Sequence, residues 1–287
     1  MSFYLTAVLL GLGFASLALG IFISMRIFNI PDITTDGSFT LGGAVTAVLL
    51  LQQFSLPVIL LAAFLSGAIA GSITGIIHTK LKVNALLAGI LVMTALYSVN
   101  LSIMKRSNIP LINVNTIFNR LTWISDSTLQ QATVLVLFAA LLWLLLSWLL
   151  WTDFGLAMRA TGNNETMIRS LGVDTERMKI IGLGLANGFT ALSGFLITQI
   201  QGYADINMGI GIVILGLGSV MIGEIFTKLF RIKGIAWHLL AVIGGSILFR
   251  IILAFALSIG IDPLYLKLVV AVFVLIVVSI PNLKHST

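Results

Sequence analysis

Long apolar runs separated by short polar stretches dominate the chain: residues 3–28, 39–54, 57–79, 83–104, 133–151, 180–200, 210–226, 234–259 and 264–280 carry almost no charge. A helix needs about 20 residues to cross a hydrocarbon core about 30 Å thick. The pattern therefore predicts an all-α, polytopic membrane protein with about 8–10 transmembrane helices. Three stretches interrupt the plain alternation of span and loop. Residues 29–43 read NIPDITTDGSFTLGG, with Pro31 unable to donate a backbone hydrogen bond and biasing Ile30 away from helix. Residues 201–223 read QGYADINMGIGIVILGLGSVMIG, again polar first and glycine-rich afterwards. Residues 153–179, DFGLAMRATGNNETMIRSLGVDTERMK, form a polar island between two very apolar spans.

Composition agrees with the pattern. Hydrophobic residues make up 59% of the chain and charged residues 9%, against about 45–50% and about 25% in soluble domains. That leaves one membrane domain over 1–287 and no room for a separate soluble one. The net charge of +6 is read by position, because Lys and Arg collect in cytoplasmic loops. Arg26, Lys80, Lys82, the island, Lys228, Arg231, Lys233 and Lys284 fall on one side if the N-terminus is outside and the C-terminus cytoplasmic. Lys105, Arg106 and Arg120 are exceptions on the outer face. No basic residue precedes Arg26, so the first run reads as a retained span. There is nothing resembling a nucleic-acid face, and the absence of cysteine removes disulfides and thiolate chemistry.

Sliding the chain by 173 positions aligns Gly11 with Gly184, Ala18 with Ala191, Leu19 with Leu192 and Asp32 with Asp205. In the predicted topology the two copies start on opposite sides, as two inverted repeats with broken helices require, with halves at 1–131 and 132–287. Non-helical backbone at membrane depth must be buried in protein or line a wet cavity. The breaks thus offer Asp32, Thr35, Asp36, Gly37, Ser38, Asp205 and Asn207, with Asn84 at a span end, as a substrate pathway. Asp36 or Ser38 is placed to cap the half-helix after the first break. Asn100, Asn187, Gln199 and Arg250 are further polar groups at or within spans. Arg250 is the costliest of them, suited either to a carboxylate or to snorkelling. Glu224 and Lys228 form a favourable i,i+4 pair.

The island holds Asp153, Glu165, Asp174 and Glu176 against Arg159, Arg169, Arg177 and Lys179. Gly162 or Asn163 can start a helix of about two turns that Gly172 ends, with Met167, Ile168 and Leu171 as an apolar stripe. A helix so short needs something to pack on, and a partner protein could supply it. No metal-ligand cluster, no catalytic Ser/His/Asp set and no phosphate loop is present, so no enzyme activity, metal or cofactor is expected of this chain.

The run 152–179, together with 27–45 (IFNIPDITTDGSFTLGGAV) and 82–111, resembles the ATP-binding-cassette importer permeases of the branched-chain amino-acid and ribose type. Runs 27–45 and 82–111 are similar to a subfamily paired with a lipoprotein-type substrate-binding protein. The resemblance implies a multi-pass subunit of the bacterial cytoplasmic membrane, working as two permease copies with a separate ATPase that binds the ATP, and a periplasmic or lipoprotein binding protein. On the family's coupling pattern, Gly155, Arg159, Ala160, Thr161, Gly162, Asn163, Glu165, Leu171 and Gly172 of the 153–179 segment match, and Met167, Ile168 and Leu171 become the ATPase contact. An amino acid or similar small solute is the implied cargo. Two other classes fit less of the chain: an ion-coupled secondary transporter with Asp32, Asp36 or Asp205 binding the ion, and an intramembrane enzyme.

Overall fold

A computed structural model of the chain describes residues 2–120 and 126–283. Lys284 lies outside the described residues, as does the side chain of Arg120. Twelve helices and two short strands follow in order among the described residues. They are α1 (Ser2–Ile21), α2 (Thr34–Leu51), α3 (Leu56–Thr79), α4 (Ala85–Met104), β1 (Asn108–Pro110), α5 (Ile117–Arg120) and α6 (Ser127–Trp151). Then come α7 (Asp153–Asn163), α8 (Glu165–Ser170), α9 (Thr175–Gln201), β2 (Tyr203–Asp205), α10 (Ile212–Leu229), α11 (Ile235–Ser258) and α12 (Leu266–Leu283). Eight helices are long and apolar enough to cross a membrane, and α12 adds a shorter apolar stretch.

The centre is made by α1 and α9, whose apolar windows are each 83% buried, whereas those of α3 and α4 are 28% buried. The outer helices thus turn most of their apolar surface outward, and the inner pair turns its surface to protein. Small and hydroxylated residues let the inner pair approach closely. Ser193 Oγ donates to the Gly13 carbonyl at 2.8 Å and Ser16 Oγ to that of Phe189 at 2.6 Å. Gly20 sits against Ala186. Residue numbers rise along α1 as they fall along α9 in these contacts, so the two helices run antiparallel.

The same pairing recurs around both. Helix α3 packs on α9 as α11 packs on α1; α2 packs on α3 and α4 as α10 packs on α11 and α12. Each of α1–α4 has a counterpart in α9–α12. The hydrogen bond from Ser16 to Phe189 joins residues 173 apart, the same offset that aligns the two copies in the sequence.

The two ends of the bundle differ. At one, β1 and β2 pair antiparallel, with Asn108 opposite Asp205 and Pro110 opposite Tyr203, tying the loop after α4 to the loop after α9. At the other lie α7, α8 and the start of α9. Local sequence does not announce the ladder, because strands of three residues carry no periodicity. It is held by long-range contacts, with Ile109 and Ala204 buried beneath it.

Three expected boundaries move. The first half-helix begins at Thr34 rather than 39, because Asp32 Oδ1 accepts the Thr34 amide at 2.9 Å and starts the helix itself. Within the island 153–163 is already helical, capped by Thr152, whose Oγ1 accepts the Gly155 amide at 3.3 Å. The short helix after it starts from Asn164, not from Gly162 or Asn163, since Asn164 Oδ1 accepts the Met167 amide at 3.1 Å. Its end is as expected, with Gly172 in a left-handed conformation at φ +87°.

Candidate functional site

The first break follows a π-helical turn, Phe22–Ile27, that extends α1. From there the chain folds back into the bundle and places Asp32 against Asn187, near the midpoint of α9. Asn187 Nδ2 donates to Asp32 Oδ2 at 2.6 Å and to the Leu183 carbonyl at 3.0 Å, while its Oδ1 accepts from Ser38 Oγ at 2.7 Å. Thr35 Oγ1 donates to the Asp32 carbonyl at 3.1 Å, and the Thr34 and Thr74 hydroxyls share a 2.7 Å bond. Asp32, Thr34, Thr35, Ser38 and Asn187 are all buried. Gly37 packs on α4, its carbonyl accepting from Asn100 Nδ2 at 3.2 Å. This end of α2 is a closed hydrogen-bonded set.

Asp36 reaches across to the start of α10. Its Oδ2 accepts the Gly211 amide and its Oδ1 the Val213 amide, each at 2.9 Å, so it caps α10 instead of its own helix. A carboxylate at a helix N-terminus satisfies free amides and opposes the positive end of the helix dipole. The N-termini of α2 and α10 consequently meet inside the bundle.

The second break is open. A cavity of about 520 Å³ lies between the ladder and the first turn of α10, lined by Asp205 and Asn207 among others. Asp205 Oδ1 accepts the Asn207 amide at 2.8 Å and Oδ2 accepts from Asn108 Nδ2 at 3.3 Å. Arg250 of α11 lines the same space, its guanidinium 3.9 Å above the Phe14 ring. Neither Asn108 nor Phe14 stood out in the sequence: their only distinction is the fold that brings them here. Arg250 did, through the cost of a cation in an apolar span. Asn84 sits apart from both breaks, exposed at the N-cap of α4, where its Oδ1 accepts the Leu86 amide at 2.9 Å.

At the opposite end, α7 and α8 are mounted on the two central helices. Gly162 lies so close to the Ile27 carbonyl that no Cβ fits, and Asn29 Nδ2 donates to the Gly162 carbonyl at 3.2 Å. Gly155 is pressed in the same way on Leu149 and Leu150 of α6. Thr161 is buried and returns its hydroxyl to the Ala157 carbonyl at 2.7 Å. Ala160, Asn163 and Arg159 line a second cavity of about 670 Å³ beside Arg26 and His238. Glu165 fastens α8 to α9: Lys179 Nζ lies 2.6 Å from Oε2, and Arg169 Nη2 and Thr175 Oγ1 lie 2.9 and 3.1 Å from Oε1. The Lys179 hydrogen bond holds the Glu165 carboxyl below the usual glutamate range, with Thr175 and Arg169 adding to it. Lys80 and Glu176 pair at 2.5 Å, joining α3 to α9. Glu224 is engaged by Arg26 at 2.9 Å, which links α10 to the end of α1; the expected partner Lys228 is displaced by this closer cation. Met167 and Leu171 remain 58% and 68% exposed, and α8 has no buried residue. Ile168 is half-buried on the same helix.

A family model described as branched-chain amino acid transport system / permease component matches residues 3–279. The chain belongs to that family. The permease is 39% identical over 271 residues, 94% of its own length and 88% of the relative's, to the tyrosine transport system permease protein of Clostridioides difficile. It is 36% identical over 283 residues, 97% of this chain and 98% of the relative, to the uncharacterized protein RP368 of Rickettsia prowazekii. The galactofuranose transporter permease protein YtfT of Escherichia coli is 29% identical over 217 residues, 71% of this chain and 60% of that protein. No solved structure matches the chain. The family is one of transporter permeases rather than of enzymes, and the protein is a membrane-spanning permease subunit of an ABC importer.

Proposed function

We propose that two copies of this permease form the pathway of a bacterial inner-membrane importer, that a separate ATPase binds ATP beneath α7 and α8, and that a binding protein delivers an amino acid at the ladder end. The observation that carries this reading is the mounting of α8. Met167 of α8 and Leu171 at its C-cap face outward, while Glu165 ties the helix to α9 and Gly162 wedges α7 against the end of α1. A push on α8 would therefore be passed to both central helices, and through them to the two breaks. Arg26, Lys80, Lys228, Arg231 and Lys233 belong to helix ends or loops at this same end, which supports a cytoplasmic placement with the N-terminus outside and the C-terminus inside. The two four-helix sets would be the halves that move against each other, with 153–179 as the coupling segment. Asp205 and Asn207 would line the passage, while Asp32, Thr35, Asp36, Gly37 and Ser38 would set the shape of the half-helices around it. An amino-acid cargo is favoured by the resemblance to a tyrosine transport permease. The test is co-purification with the ATPase. Leu171→Glu is expected to abolish association while the permease elutes as a monodisperse species, and undiminished association would sink the reading.

A further inference from the structure

The cavity of about 670 Å³ at the α7 and α8 end lies between the π-helical turn Phe22–Ile27, α7 and the start of α11. Three side chains on its wall can carry positive charge: Arg26, Arg159 and His238. Among the described residues, no Asp or Glu lines it. Arg26 meets Glu224 through Nε at 2.9 Å, and its guanidinium has further N–H donors to give. Arg159 belongs to none of the ion pairs among the described residues, and its Nε is buried without a partner. His238 Nδ1 lies 2.8 Å from the Gly234 carbonyl, so Nε2 is the ring nitrogen left to a ligand. Helix α11 starts at this cavity from Gly234, with no side chain capping it, and a helix N-terminus favours an anion. A buried donor without an acceptor costs free energy that an entering anion recovers. Part of the wall is apolar, with Phe22, Leu156 and Ile235. Trp237, next to His238, is exposed at the start of its span, where tryptophan marks the membrane surface.

We propose that this cavity is a phosphate-binding site, with Arg159, Arg26 and His238 around the anion at the start of α11. Its mixed wall favours the headgroup of an anionic phospholipid over a soluble phosphate compound, because the apolar side needs carbon to cover it. Basic pockets between helices at a membrane surface bind such headgroups. A guanidinium meets a phosphate with two parallel N–H donors, which lysine cannot do. The site goes beyond the permease reading: neither the cargo nor the docking of an ATPase enters it, only a membrane surface at this end of the bundle.

The test uses the full-length permease, stripped of lipid in mild detergent and titrated with palmitoyl-oleoyl phosphatidylglycerol or with the phosphatidylcholine of the same chains. Native mass spectrometry counts the bound lipid. Both lipids carry a phosphate, but choline offsets its charge, so phosphatidylglycerol is expected to bind about tenfold tighter or more. Arg159→Gln should remove most of that preference and Arg159→Lys should restore only part of it. Arg177→Gln, an exposed arginine paired with Asp174 outside the cavity, should change nothing. A preference that survives Arg159→Gln overturns the proposal. Should the two lipids bind equally, calorimetry with inorganic phosphate decides: heat in the wild type that is lost in Arg159→Gln assigns the site to a soluble phosphate. No heat overturns the proposal and leaves the cavity to an acidic side chain of a partner protein. Should Arg159→Gln fail to fold, phosphatidylglycerol with a diazirine beside its headgroup keeps the test on the wild-type protein. Cross-links in 153–163 and 234–238 are expected, and cross-links confined to other segments overturn the proposal.

Discussion

The two breaks carry similar residues and do different things. In the first, Asp32 meets the Thr34 amide and Asn187, Ser38 meets Asn187, and all of them are buried. In the second, Asp205 and Asn207 stand at a cavity whose other wall is an arginine with no acceptor for Nε. A buried acid whose oxygens are all used is a structural joint. Polar groups left short of partners are where a ligand has something to gain. Aspartate, asparagine and glycine at a helix break announce irregular backbone in both cases, and burial of the first against a cavity beside the second is what separates them.

This contrast can be broken most decisively at Asn187. Replacing it with leucine strips Asp32 Oδ2 and Ser38 of partners in a dry interior, and should cost about 3 kcal/mol or more. The measurement is the thermal unfolding midpoint in detergent followed by tryptophan fluorescence, and a wild-type midpoint would show the first break to be less closed than its hydrogen bonds imply. Gly162→Ala comes next. The new methyl group overlaps the Ile27 carbonyl, so α7 must shift off α1; about 1–3 kcal/mol is expected, together with loss of transport even where ATPase association survives. Asp36→Ala uncaps α10 and should cost about 1–2 kcal/mol, read as faster amide exchange at Gly211 and Val213.

Glu165→Gln has a smaller effect, below about 1 kcal/mol, because the side chain is partly exposed and its pairs are screened. Its sign follows from the lowered native pKa. A carboxyl held below its ordinary range contributes stability that is complete above that range and is lost as pH falls through the native value. Protection of α8 and the start of α9 should therefore decline below about pH 4 in the wild type, and should be lower but flat with pH in the glutamine variant. Equal pH profiles would remove Glu165 as the fastening. Smallest in stability is Asn207→Ala, within about 0.5 kcal/mol for an exposed residue, yet this change should slow uptake into proteoliposomes. If it slows nothing, the open break is not the passage.

What could be read from sequence was what each segment carries within itself. Apolar length marked the spans, proline with acid and glycine marked the first break and acid with glycine the second, and the offset of 173 residues reappears as the Ser16–Phe189 hydrogen bond between two antiparallel central helices. The island was legible for the same reason: eight charged side chains have to leave the hydrocarbon, whatever the fold. Partner choice was not legible. Asp36 is closer in sequence to its own half-helix, but the first turn of that helix is already served by Asp32, and the chain crossing brings α10 to its carboxylate. Glu224 likewise takes Arg26 from another helix in preference to its neighbour one turn away. The helix start at Asn164 came down to one side chain whose oxygen reaches the Met167 amide.

By itself, then, the sequence determined the medium, a range of 8–10 spans that includes the eight long apolar helices, and where regular helix had to fail, because hydrophobic transfer and backbone hydrogen bonding are local demands that each stretch must meet alone. Only the tertiary structure decided which failure is sealed and which is open. Whether a buried charge has a partner depends on segments that are distant in sequence: Asp32 has Asn187, whereas Arg250 Nε has no hydrogen-bond partner and its guanidinium lies over the Phe14 ring.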